Sequence, residues 1–209
     1  PFGVYSLQSP LMGLHNLSNI LVALGICIQL GEDTEKAIKA LNCNGAPGRL
    51  ERVLGNENSP AVLVDYAHTP DALVNVLNAV RPITKGRLIC VFGCGGDRDT
   101  KKRPLMGTAV RQNADIAIVT SDNPRTENPD SIIDMIIPGL IDPDIQKVEI
   151  GKLISVSRGF AVEPDRRLAI RAAISAANKD DTVLIAGKGH EDYQILGKTK
   201  IHFDDRQEA

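Results

Sequence analysis

The residues best suited to chemistry lie between Thr120 and Pro129, in the run TSDNPRTENP. Asp122-Asn123-Pro124-Arg125 sets a carboxylate, an amide and a guanidinium together, directly after the apolar run 116–119, which has the pattern of a buried strand. Proline fixes its own φ and biases the residue before it toward extended backbone, so the arginine leaves the turn in a set direction. A planar guanidinium takes a carboxylate through two parallel hydrogen bonds while a neighbouring acid takes an ammonium, a combination that suits a free amino acid. A turn of capping residues around a surface ion pair is the plainer reading of the same four residues.

Three other segments carry similar chemistry. Asp65-Tyr66-Ala67-His68-Thr69-Pro70-Asp71 places a carboxylate at a strand tip and an imidazole three residues on, with Thr69 able to cap a helix whose first residue is Pro70. Asp65 and His68 either finish that helix start or meet a ribose hydroxyl and a phosphate. In Gly93-Cys94-Gly95-Gly96-Asp97-Arg98-Asp99, three glycines let backbone approach a ligand closely, and Arg98 is held between two acids as an anion fork. The arrangement GxxxxGK[ST] is absent, so this is no P-loop. The basic run Lys101-Lys102-Arg103-Pro104 that follows is read as a solvated helix start. Gly187-Lys188-Gly189-His190-Glu191 repeats the theme, with small residues exposing backbone amides and Glu191 offering an ammonium partner. Before these, Gly13-Leu14-His15-Asn16 opens a helical stretch, where Asn16 either caps the helix or reads a purine edge.

The elements that position these groups follow from periodicity. Leu17, Ile20, Leu21, Leu24, Ile28 and Leu30 recur at near-helical spacing, and a second short helix spans 34–41. The run NCNGAP, 42–47, has linker and hinge chemistry and marks a domain boundary. Beyond it, apolar runs at 61–64, 88–92, 116–119 and 183–186 alternate with amphipathic stretches at 70–80, 104–113, 131–137 and 166–177. Such alternation predicts an α/β fold with an open, doubly wound, mostly parallel sheet whose ligands gather beyond the carboxyl ends of the strands. All of the chemically loaded segments past the boundary follow an apolar run directly. A hairpin is expected at 193–203 around Gly197-Lys198.

The 209 residues carry 24 basic and 26 acidic side chains, a net charge of −2, which offers no general field for nucleic acid or anionic lipid. Four cysteines fit a reducing compartment better than a disulfide scaffold. Cys90 in a strand-like run and Cys94 in a glycine loop are not read as a zinc pair, and no metal site is expected. No stretch is apolar and long enough to span a bilayer as a helix. Pro1 stands where an initiator methionine would, and the opening reads as the middle of a longer chain.

Taken in order, GLHNLSN, APGRLERV, VDYAHTPDAL, FGCGGDRDTKKRPLMG, TSDNPRTENP and AGKGHEDYQI resemble, across nearly the whole chain, the C-terminal part of the Mur ligase family. The resemblance implies a Rossmann-like amino-acid-binding domain over 45–209 and a remnant, over 1–44, of the preceding central ATPase domain. It implies an ATP- and Mg2+-dependent ligase of peptidoglycan assembly working through an acyl phosphate. DNPR is similar to the variant that takes meso-diaminopimelate. On this resemblance diaminopimelate is met by Arg98, Asp122, Asn123, Pro124, Arg125, Gly187 and Glu191, and ATP by Asn16, Arg49, Asp65 and His68, with no catalytic residue or metal ligand in this chain. The partners it implies are the small molecules diaminopimelate, a UDP-linked muramoyl dipeptide and ATP, and a cytoplasmic monomer is expected. The chain departs from the family in having no Walker sequence, no counterpart of the carbamylated lysine and no UDP-binding segment, so by itself it is expected to be inactive. Leu14-His15 also stands where a small residue and an aromatic are usual. A lysine-adding or other Mur-type ligase is one alternative, against which DNPR weighs. A non-catalytic Mur-like structural partner is the other, against which Arg98, Asp122, Arg125 and Glu191 weigh.

Overall fold

The computed structural model describes residues 4–7, 9, 14–41, 46–56 and 58–209. The chain divides into two compact units, Pro1–Ala46 and Pro47–Ala209. In the first, α1 (Leu14–Gln29) and α2 (Thr34–Leu41) bury Ile20 and Ala37. Leu17, Leu21, Val22 and Ile26 remain exposed. Because α1 already runs from Leu14, Asn16 sits within its first turn rather than capping it. At α2 the amide of Lys36 donates to Asp33 Oδ1 at 2.9 Å, an acidic cap in the stretch that precedes the helix. Of the expected linker 42–47, residues 42–45 lie outside the described residues, as does the expected boundary between 44 and 45.

The second unit contains, in order, β1 (Glu51–Val53), β2 (Ala61–Asp65), α3 (Pro70–Val80), β3 (Leu88–Phe92), α4 (Lys102–Asn113), β4 (Ile116–Val119), α5 (Pro129–Ile136), β5 (Gln146–Lys147), β6 (Gly159–Val162), α6 (Arg166–Ala176), β7 (Thr182–Ala186), the hairpin strands β8 (Tyr193–Leu196) and β9 (Thr199–His202), and the short α7 (Asp205–Glu208). Seven strands form one sheet in the order β1-β2-β7-β3-β4-β6-β5, with β1 antiparallel to β2 and every other neighbour parallel. The apolar runs are continuous because the central strands are covered on both faces: every residue of β3 and β7 is buried. Alternate residues Val62, Val64, Ile89, Val91, Ile116, Ile118, Val183 and Ile185 form one core with Ala169, Ile170 and Ala173 of α6. The residues between them face the other way. The chain moves along the sheet in one direction through α3, α4 and α5, then returns from β6 to β7 through α6.

The expected cap at Thr69 is present, and the structure adds two more. Thr69 Oγ1 accepts from Ala72 N at 3.3 Å ahead of Pro70, and Asn128 and Asp165 cap α5 and α6 in the same way. One expectation is overturned: the basic run before Pro104 is not a solvated approach. Residues 102 and 103 are already helical, Arg103 is wholly buried and donates to both oxygens of Glu127 at 2.8 and 2.9 Å, and Lys102 Nζ donates to the carbonyl of His68 at 2.8 Å.

Parallel register fixes where the site must be. Asp65 pairs with Ala186, Val91 with Ile185 and Phe92 with Val119, so β2, β3, β4 and β7 end along one edge. The segments after residues 65, 92, 119 and 186 therefore leave the sheet side by side.

Candidate amino-acid cleft

The loops after β3 and β4 are built against each other. A Cβ on Gly96 would collide with the carbonyl oxygen of Pro124, and the Gly96 amide donates to Asn123 O at 2.9 Å. Arg125 adopts φ +52° and Asp97 φ +53°, a left-handed conformation that costs an ordinary side chain on the order of 1 kcal/mol. Such strain persists where surrounding contacts over-determine it. Here Asp97 accepts from Thr126 Oγ1 at 2.8 Å and Thr126 N at 3.2 Å, and its own amide donates to Glu127 Oε1. The second support comes from the hairpin. Arg125 N donates to Ile195 O at 3.1 Å, Gly197 N to Arg125 O at 2.7 Å, and Gln194 Nε2 to Asp122 O at 2.7 Å. The 122–125 loop is thus clamped by backbone on one side and by the glycine loop on the other.

These loops enclose a cleft of about 360 Å³ at the carboxyl edge. Arg98, Asp122, Asn123, Arg125, Gly187 and Glu191 all line it, and so does His68, expected instead among nucleotide contacts. Pro124 shapes the loop from behind without lining the cleft. Arg125 Nη1 donates to Gly96 O at 2.8 Å, which sets the direction of its fork. Asp65 lies off the cleft: its Oδ2 accepts from Leu50 N and its Oδ1 from Ala67 N, both at 2.8 Å. Arg49 stands over the ring of Tyr66, 5.0 Å from its centroid, and Tyr66 in turn lies 5.2 Å from the ring of His190. Asn16 belongs to the first unit.

Sequence reasoning passed over Lys188. It is fully buried at the floor of this constellation, and its Nζ lies 2.7 Å from Tyr193 O, 2.9 Å from Asn123 Oδ1, 3.2 Å from Asp122 Oδ1 and 3.9 Å from Glu191 Oε2. Burial holds its ammonium below the ordinary lysine range, against the opposing pull of the Asp122 carboxylate. A lysine between two glycines just after the apolar run 183–186 was the available signal, since topology buries that position. Tyr193, Tyr66 and Lys102 also line the cleft unforeseen. The nearby Glu191 carboxylate raises the Tyr193 phenol, and burial pushes the Cys94 thiol up to about 12, which removes it as a nucleophile near neutral pH. Among the described residues no cluster of three or more histidine, cysteine or acidic side chains is placed to hold a metal ion.

The doubly wound domain thus gathers two guanidiniums, two acids and an amide beyond its strand ends, groups whose charges complement those of a small zwitterion. The sequence profile of the family described as Mur ligase, glutamate ligase domain matches residues 48–189, and the chain belongs to that family. Among curated relatives, the UDP-N-acetylmuramoyl-L-alanyl-D-glutamate–2,6-diaminopimelate ligases of Gloeobacter violaceus and Nostoc sp. are 52% and 53% identical over the whole of this chain. The chain spans 40% of their length. A solved structure of a ligase of that name superposes with a TM-score of 0.69 at 40% identity, covering 99% of this chain and 39% of the other. UDP-N-acetylmuramate-alanine ligase from Thermotoga maritima, 22% identical with a TM-score of 0.63 over 90% of this chain and 37% of its own, shares the fold.

Proposed function

We propose that this chain is the amino-acid-receiving part of an ATP-dependent ligase that adds meso-diaminopimelate to UDP-N-acetylmuramoyl-L-alanyl-D-glutamate. The observation that carries the reading is the convergence of Arg98, Arg125, Asp122, Asn123 and Glu191 in one cleft. Meso-diaminopimelate has two carboxylates and two amines, and a cleft offering two forks and two acids complements it group by group. Lysine has one carboxylate, so an arginine placed for the second would be left without its anion.

In such a ligase ATP supplies the phosphoryl group that turns the D-glutamyl γ-carboxylate into an acyl phosphate. The residues here bind and aim the amine that attacks it. Arg125 and Arg98 hold carboxylates, Asp122 and Glu191 hold the two amino groups, one of which gives up its proton and attacks as the free amine, forming the amide as inorganic phosphate leaves; the gain comes from orientation and charge neutralisation. A nucleotide's polar edge fits the surface where exposed Arg49 covers Tyr66 beside His190. Asp65 serves that surface by holding the Leu50 amide under the turn that carries Arg49. Among the described residues no donor set suits magnesium. The reading further places the protein in the cytoplasm as a monomer.

The test is amide formation by the full-length protein with UDP-N-acetylmuramoyl-L-alanyl-D-glutamate and ATP, comparing meso-diaminopimelate with L-lysine. Product with diaminopimelate at a kcat/KM at least about a hundredfold above that with lysine is expected. Equal use of the two amino acids would sink the assignment.

A further inference from the structure

We infer that Lys188 is the positioning residue of the cleft: its enclosed ammonium fixes the orientation of Asn123 and, through Asn123, that of Glu191. The inference rests on the reading of the cleft as an amino-acid site.

An ammonium has three donors and no acceptor. At Lys188 three acceptors surround Nζ: the Tyr193 carbonyl at 2.7 Å, Asn123 Oδ1 at 2.9 Å and Asp122 Oδ1 at 3.2 Å. The contacts join three separate segments, the hairpin, the 122–125 loop and, through Lys188 itself, the loop after β7. With two donors hydrogen-bonded, its charge paired with Asp122 and its side chain shielded, Lys188 acts through its neighbours and does not reach a ligand in the cleft.

The consequence for Asn123 is geometric. Its Oδ1 takes a second donor, the Ile195 amide, at 3.0 Å, which fills both lone pairs of that oxygen. Turning the amide over would aim its NH2 at an ammonium and a backbone N–H. One orientation survives, and in it Nδ2 donates to Glu191 Oε2 at 3.0 Å. The carboxylate is thereby held at the cleft wall rather than swinging on free torsions. A lysine that only neutralised Asp122 would need neither Asn123 Oδ1 nor the Tyr193 carbonyl; the full coordination ties neutralisation to the aim of two other groups.

The test uses the full-length ligase with Lys188→Met, which keeps the length of the side chain and loses the charge, and Lys188→Gln, which keeps a polar donor should the first variant fail to fold. Both are expected to raise KM for meso-diaminopimelate by about tenfold or more while kcat and KM for ATP stay within about twofold. In selectively asparagine-labelled protein, the Asn123 side-chain amide signal, assigned by its loss in Asn123→Ala, should exchange slowly in the wild type and rapidly in both variants. An unchanged KM for diaminopimelate, or a parallel rise in both KM values with the amide still protected, would overturn the inference. If the wild-type protein forms no product with diaminopimelate, the functional reading falls instead, and the amide exchange alone decides on Lys188: protection retained in the variants refutes its role.

Discussion

Arg166 and Asp205 form a doubly hydrogen-bonded ion pair, Nε to Oδ1 at 2.7 Å and Nη2 to Oδ2 at 2.6 Å, with both side chains wholly shielded from solvent. Nη2 also donates to Ala186 O at 3.0 Å, so the pair anchors the end of β7 from which the Gly187 loop departs. Removing one partner of a buried pair leaves an uncompensated charge, whereas removing both does not. Asp205→Ala should therefore destabilise the fold by about 3–5 kcal/mol, and Arg166→Met combined with Asp205→Leu should recover most of that loss. Urea denaturation of the single and double variants measures the difference.

Asp181 gives an acid dependence of definite sign. Burial alone would raise its carboxyl, but hydrogen bonds from the Arg87 guanidinium and from the amides of Asn178 and Arg87 outweigh it and hold the group below its ordinary 3.8. The folded chain then binds this proton less readily than the unfolded one. The stability contributed is complete above pH 3.8 and is lost as pH falls through the lower folded value. Asp181→Asn should remove that part of the acid transition and flatten stability against pH below about 4, read from denaturation midpoints across a pH series.

Two glycines should respond oppositely to a methyl group. At Gly96 the new Cβ meets the Pro124 carbonyl, and the glycine loop must separate from the 122–125 loop. Gly96→Ala is expected to cost about 1–3 kcal/mol and to weaken meso-diaminopimelate binding more than ATP binding. Gly25 lies within α1, where an added methyl group would find nothing inside 4 Å, and Gly25→Ala should stabilise that helix by about 0.5–1 kcal/mol. Helix ellipticity during denaturation distinguishes the two.

On the proposed function, Arg125→Ala in the full-length protein should lower kcat/KM for meso-diaminopimelate by about a hundredfold or more, with KM for ATP within about twofold. Steady-state kinetics with each substrate varied in turn reads both. Equal losses toward the two substrates would count against a carboxylate-holding role for this guanidinium.

The strands that frame the cleft were legible because burial on both faces writes itself as an uninterrupted apolar run, as in Leu88–Phe92 and in Val183–Ala186, to which the structure adds only Thr182. Helix α3 was legible through Thr69 and Pro70, which mark its start chemically. The outer strands were not. Glu51–Val53 is three residues with two charges, Gln146–Lys147 is two polar residues, and Gly159–Val162 opens on a glycine, so none carries a periodic signal. The charged residues that line the cleft were visible as groups following apolar runs, because parallel register delivers every such segment to one edge. What stayed hidden were partnerships made across the chain. Arg103 read as a solvated charge until Glu127 covered it, and Lys188 read as one letter of a glycine motif until the hairpin carbonyl at Tyr193 closed over it.

The clamp on the 122–125 loop is made largely by main-chain groups of residues 195 and 197, while the outer hairpin strand Thr199–His202 is exposed along its length. Main-chain groups are the same whatever side chains they carry. The outer strand is therefore free to be rewritten without loosening the grip on Arg125, and a fluorophore attached there through an introduced cysteine would sit one strand away from the cleft, as an optical gauge of its occupancy.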